Sequence, residues 1–284
     1  MLRQNAAPVA LCLLALSTAA RAQETDFVAP SDVIWEKDIE YANVEGVSLC
    51  FDVLKPAEPP SGRLPVILYI HGGGFTKGSK EDGLSRNLPF AQNGYYTVSI
   101  DYRLAPTWTF PAPIEDCKAA VRYLRANAQR LGIDRRKIGA WGTSAGGSLV
   151  SLLGTSAGVG EIAGTENLGY SSGVQCVVDG YGVTDWLTVT DQRIAVDGSD
   201  SFERSYFGGD LEDVLDAAVL ASAVTHVSAG DPPFLHLHGT EDPVVPFAQS
   251  EELQRALTEQ GCDAILVPIV GAHHGWRPGH PDVE

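Results

Sequence analysis

A serine hydroxyl attacks a carbonyl carbon only when a nearby base takes its proton. A histidine serves best as that base when a carboxylate fixes its ring. The chain offers candidates for all three roles. Ser144 lies in Gly142-Thr143-Ser144-Ala145-Gly146-Gly147, where glycines two positions away on either side allow a sharp turn that larger side chains would block. Asp242 lies in His238-Gly239-Thr240-Glu241-Asp242-Pro243, and Gly271-Ala272-His273-His274-Gly275 supplies two adjacent histidines. His71-Gly72-Gly73-Gly74-Phe75 brings three glycines in a row, whose backbone N–H groups can approach a substrate oxygen. Joined by the amide of Ala145, they would stabilise the oxyanion of an acyl-transfer intermediate. A phosphate cradle would need G-x-x-x-x-G-K-[ST] instead, and the chain lacks it.

The elements around these residues place them on one edge of a sheet. Val33–Tyr41 and Val47–Leu54 read as an antiparallel hairpin turning at Glu45-Gly46. A loop rich in proline follows, and then strands alternate with helices. Strands are expected at Pro65–Ile70, Tyr95–Ile100, Lys137–Trp141, Val174–Val178, Pro233–Leu237 and Ala264–Ile269. Helices are expected at Ile114–Leu131, Ser144–Leu153, Leu211–Val224 and Phe247–Gln260. This alternation predicts an α/β fold, a mostly parallel central sheet with helices on both faces. Such sheets hold ligands at the carboxyl ends of their strands, where all four segments above fall.

Each candidate has a plainer reading. An aspartate in a turn often serves as an Asx cap. Asp231 and Asp263 flank strands at the wrong end for chemistry. His71 is expected to scaffold its loop. His236 and His238 alternate on a strand, but no third ligand accompanies them, so they are expected to be structural, and no metal or cofactor is expected. Phe75, Trp108, Phe110 and Trp186 are candidates to line or rim a substrate site, with packing under loops as the alternative for each.

The chain has 284 residues, 44% of them apolar, enough for a core. Its formal net charge of −16 would repel nucleic acid and says little about a neutral ester or glycan. Arg3, the apolar stretch from Ala6 to Ala20 and the site Ala20-Arg21-Ala22 read as a secretory signal over residues 1–22. The remainder, 23–284, is expected to be one domain, secreted or periplasmic and without a membrane span. Four cysteines, Cys50, Cys117, Cys176 and Cys262, follow the signal. They show no metal or redox spacing. Their pairing, or burial as free thiols, is open.

Taken in order, these blocks resemble the α/β-hydrolase superfamily, in which serine, acid and histidine follow separate strands in that sequence. They are more similar to esterases of the hormone-sensitive-lipase type, and more closely to bacterial secreted acetyl xylan and feruloyl esterases. His71–Phe75, Asp101–Pro106, Gly142–Gly147, His238–Pro243 and Gly271–Gly275 carry the resemblance; Asp116–Ala120 and Asn167–Tyr170 carry the subgroup. The resemblance implies Ser144, Asp242 and His274 as a catalytic triad, with His274 chosen over His273 because glycine follows it. It implies Gly72, Gly73 and Ala145 as the oxyanion hole, with Gly74 a further candidate. The implied partner is a small ester or an esterified polysaccharide. A peptidase similar to acylaminoacyl peptidases and a non-catalytic binding module on the same fold are the alternatives. The sequence ends at Glu284, ten residues past His274, where the family continues into a final helix, so that helix is expected to be missing.

Overall fold

Val33–Val44 (β1) and Val47–Pro56 (β2) pair antiparallel. Between them Glu45 and Gly46 have φ of 52° and 82°, the left-handed pair that a two-residue turn needs to match the twist of its strands. This is a computed structural model, and it describes residues 27–192 and 202–275. The proposed signal and the region of the expected missing helix lie outside those residues.

The remaining strands are Leu64–Ile70 (β3), Tyr96–Ile100 (β4), Ile133–Thr143 (β5), Cys176–Gly180 (β6), Phe234–Gly239 (β7) and Ala264–Ile269 (β8). They form one eight-stranded sheet in the order β1-β2-β4-β3-β5-β6-β7-β8. β2 meets β4 antiparallel, and every pairing from β4 to β8 is parallel. The helices are Leu84–Gln92 (α1), Ala112–Ala126 (α2), Ala128–Leu131 (α3), Ala145–Thr155 (α4), Val189–Gln192 (α5), Phe202–Phe207 (α6), Leu215–Ala221 (α7) and Ala248–Glu259 (α8). The fold is the expected α/β-hydrolase arrangement.

Successive residues of a strand face opposite ways, and β2 shows both layers. Phe51 and Val53 point into the main core, which includes Ile114, Val121, Leu149, Leu153, Leu253 and Leu257 from α2, α4 and α8. Leu54 points the other way, into a smaller cluster with Val33 and with Leu84 and Ala91 of α1. At the far edge β8 leaves Ile265 62% and Val267 41% exposed.

Three expectations change in detail. The helix read over Ile114–Leu131 begins at Ala112 and breaks at Asn127, whose side-chain amide joins its own backbone N–H on the Tyr123 carbonyl, each at 3.0 Å. The helix read over Leu211–Val224 shrinks to α7. Ser222 turns extended at φ −81°, ψ 115°, and its hydroxyl donates to the Ala218 carbonyl. α1 was not anticipated, because Pro89 inside it breaks the helical signal.

Candidate active site

β5 delivers its last residue, Thr143, directly to Ser144, and α4 begins at Ala145. Ser144 sits at φ 57°, a left-handed conformation that costs a non-glycine residue on the order of 1–3 kcal/mol. The turn closes because glycines stand where other residues would collide. A Cβ on Gly146 would lie 2.0 Å from the Ile70 carbonyl oxygen, and one on Gly142 would lie 2.4 Å from that of Gly146. The Ser144 N–H donates to Gly180 O at 2.8 Å, tying the elbow to the end of β6.

Asp242 follows β7 and uses its two oxygens differently. Oδ1 accepts the N–H groups of Val244 and Val245 at 2.8 and 2.9 Å, which is the plain turn role. Oδ2 accepts the Nδ1–H of His274 at 2.7 Å. The two loops can approach because Gly239 has no side chain; a Cβ there would lie 2.2 Å from Ala272 O. Since Nδ1 carries the proton, Nε2 of His274 is free to accept the Ser144 hydroxyl, 2.9 Å away. Burial pushes the Asp242 carboxyl up. Hydrogen bonds from His238, His274 and Val245 outweigh it and hold the group well below the ordinary carboxylate range, so it is ionised at neutral pH. His273 points elsewhere: its side chain is 55% exposed and sits 3.8 Å from Glu241.

The glycine loop after β3 packs against this elbow. A Cβ on Gly72 would lie 2.7 Å from Thr143 O and 3.2 Å from the Ser144 Cβ. Among the described residues, the N–H groups of Gly72, Gly73 and Ala145 make no hydrogen bond, so they can receive a substrate oxygen. His71 is the scaffold of this loop. Its Nδ1–H donates to Gly72 O at 2.7 Å, its ring stacks on Tyr102 at 4.2 Å, and burial pushes its imidazole down, keeping it neutral.

Ser144 and His274 open onto a cavity of about 750 Å³. Phe75 lines it, beside Gly72, Gly73, Gly74 and Ala145. Trp108 and Trp186 do not line it. Trp186 is 1% exposed because Phe75, Tyr206 and Phe207 surround it, with ring centroids 5.8, 5.3 and 5.1 Å away. Trp108 lies under the Arg103 guanidinium, 5.2 Å from its ring centre, and Phe110 packs on Tyr206. Tyr69, Arg86, Tyr181, Val183, Phe202 and Val245 also line the cavity, and none of them was expected from the sequence. Tyr181 was within reach, since it directly follows β6 at the carboxyl edge of the sheet. Its ring sits edge-to-face on His274 at 4.8 Å.

The strand histidines are used within the fold. The Nε2–H of His238 donates to Val245 O at 2.9 Å and its Nδ1 accepts from Ser250 Oγ at 2.7 Å. His236 meets Asp179 at 3.0 Å. Among the described residues, no cluster of side chains could hold a metal ion.

The fold and this constellation define an α/β-hydrolase. A sequence profile of the BD-FAE family matches residues 51–257, and the chain belongs to that family. It is 32% identical to Esterase LipC of Mycobacterium tuberculosis over 79% of this chain and 56% of LipC. The chain thus spans about half the length of the curated relatives it matches. Among solved structures it is similar to a truncated carbohydrate esterase from gut microbiota, with a TM-score of 0.76 and 29% identity over 85% of this chain and 89% of that one. It is also similar to propionate-bound Est2, an esterase of Thermogutta terrifontis, with a TM-score of 0.72 and 28% identity over 87% of each chain.

Proposed function

We propose that this chain is a serine carboxylesterase that hydrolyses short-chain or carbohydrate-linked esters through an acyl-enzyme. The observation that carries the reading is the line Ser144 Oγ, His274 Nε2, His274 Nδ1, Asp242 Oδ2, with hydrogen bonds of 2.9 and 2.7 Å. Ser144 Oγ attacks the ester carbonyl carbon while its proton passes to Nε2 of His274. Asp242 holds the ring and offsets the charge of the imidazolium. The carbonyl oxygen becomes an oxyanion facing the N–H groups of Gly72, Gly73 and Ala145. Collapse breaks the bond to the alcohol, which leaves with the proton from Nε2. Water then gives a proton to the same nitrogen as its oxygen bonds the acyl carbon; the Ser144 Oγ–acyl bond breaks, Oγ takes the proton back from Nε2, and the acid leaves.

Three lines support the substrate class. Relatives are named esterases, one solved neighbour is a carbohydrate esterase, and another holds propionate, a short acid. The signal-like stretch at residues 1–22 supports export, where plant polysaccharide esters with acetyl or feruloyl groups would be met. Burying each CH₂ contributes roughly 0.8 kcal/mol, and a cavity open to solvent forfeits that gain for the outer carbons of a long acid. Rates on p-nitrophenyl esters therefore peak between acetyl and butyryl and fall by twelve carbons. A maximum at long chains would replace this reading with a lipase. No turnover on any ester, feruloyl included, would replace it with a binding module.

A further inference from the structure

The cavity carries charges for which acyl transfer has no use. Its lining includes Lys77, Asp82 and Arg86. Over the whole chain 36 acidic residues outnumber 20 lysines and arginines, yet here two cations accompany one acid. That acid is already engaged, because Asp82 Oδ2 accepts the Ser79 N–H at 3.1 Å, at the start of the 3-10 turn Lys80–Gly83. Neither Lys77 nor Arg86 forms an ion pair among the described residues.

Arg86 instead leans on a ring. Its guanidinium carbon lies 5.9 Å from the centre of Tyr69. The Tyr69 hydroxyl is 3.5 Å from Thr143 Oγ1, and the Tyr181 hydroxyl shares a hydrogen bond with the same threonine. Ser144 is the next residue. Arg86, Tyr69, Thr143 and Tyr181 thus form one continuous polar wall that ends at the nucleophile. Burial pushes both phenols up, so they stay protonated and can donate. The guanidinium, exposed above the buried Tyr69 ring, offers a planar fork that fits the two oxygens of a carboxylate, a pairing for which arginine is better shaped than lysine.

We propose that this wall binds a carboxylate carried by the ester substrate, with Arg86 as the residue that sets the preference; the inference rests on the ester-hydrolase reading above. The substrate class is an anionic ester, either the half-ester of a dicarboxylic acid or an acylated hydroxy acid. The carboxylate docks on Arg86 while Ser144 attacks the ester carbonyl, and no bond changes at the wall.

Two matched pairs test this and separate the sources. The first sets 4-nitrophenyl adipate against its terminal amide, with the carboxylate on the acyl side. The second sets 3-acetoxybenzoate against 3-acetoxybenzamide, with the carboxylate on the alcohol side. In one pair at least, the anion should be preferred about tenfold in kcat/KM, carried by KM, the size expected of one charge-assisted contact near solvent. Arg86→Gln should bring that ratio to about one, and Arg86→Lys should leave part of it. Arg86 is exposed, so both variants should fold. Hydrolysis of the neutral members with no preference in either pair overturns this inference alone. So does a preference that survives Arg86→Gln. Failure to hydrolyse any of the four esters overturns the esterase reading and this inference with it.

Discussion

Asp242 shows how one side chain serves two readings at once. Its Oδ1 makes the turn that any loop aspartate can make, and its Oδ2 holds His274. The sequence could not divide the two, because both need the same residue in the same loop. The sequence favours His274 over its neighbour because glycine follows it, and in the structure His274, not His273, lies between Asp242 and Ser144. His274→Ala should lower kcat by about 10⁴ or more. His273→Ala, at an exposed position, should change it by no more than about threefold. Steady-state rates on p-nitrophenyl acetate decide this, and a dead His273→Ala beside an active His274→Ala would reverse the assignment. Trp108 and Trp186 were less legible. An aromatic residue in a loop near the site reads the same whether it faces the ligand or props up the loop. Only the packing of Trp186 under Phe75, Tyr206 and Phe207 separates the two.

The elements that bear the site were readable because each ends in a residue with one structural use. Gly142 and Gly146 mark the elbow, and the apolar runs before them mark strands buried on both faces. Helix ends were less so, as Asn127 and Ser222 act through local side-chain bonds that periodicity does not register. α2 also buries a charge that no pattern announced. Lys118 is 1% exposed and its ammonium donates to Ser156 O at 2.7 Å, just past the end of α4. Burial, aided by the charge of Arg122, pushes its pKa down to about 8. The unfolded chain keeps this proton up to about pH 10.4. Between those values unfolding takes up a proton, so the contribution of Lys118 to stability rises with pH and is flat below the window. Relative to Lys118→Met, the wild type should gain up to about 3 kcal/mol between about pH 7.5 and about pH 10. Urea unfolding of both proteins at the two pH values measures it. A difference that does not change with pH would show that the lysine is not desolvated as the fold requires.

At the scale of the molecule, strand direction follows from few sequence cues, while strand order comes from the structure. Alternating strands and helices imply a parallel sheet, and the Glu45-Gly46 turn implies the antiparallel edge, both of which the sheet shows. Cysteine pairing was left open by the sequence, and the structure has Cys50, Cys117, Cys176 and Cys262 all as free thiols. Dithiothreitol should therefore leave Tm unchanged to within about 1 °C, whereas losing a native bridge costs roughly 2–5 kcal/mol and several degrees. A clear drop in a thermal melt would mean that two of these thiols are bridged in solution. Everything proposed for the site depends on Ser144 as the nucleophile. Purified Ser144→Ala, with an unchanged circular dichroism spectrum, should lose about 10⁴ or more in kcat on p-nitrophenyl acetate and take up no fluorophosphonate, while the wild type binds one equivalent at Ser144. Near-normal turnover by Ser144→Ala, or an adduct on another residue, would contradict it.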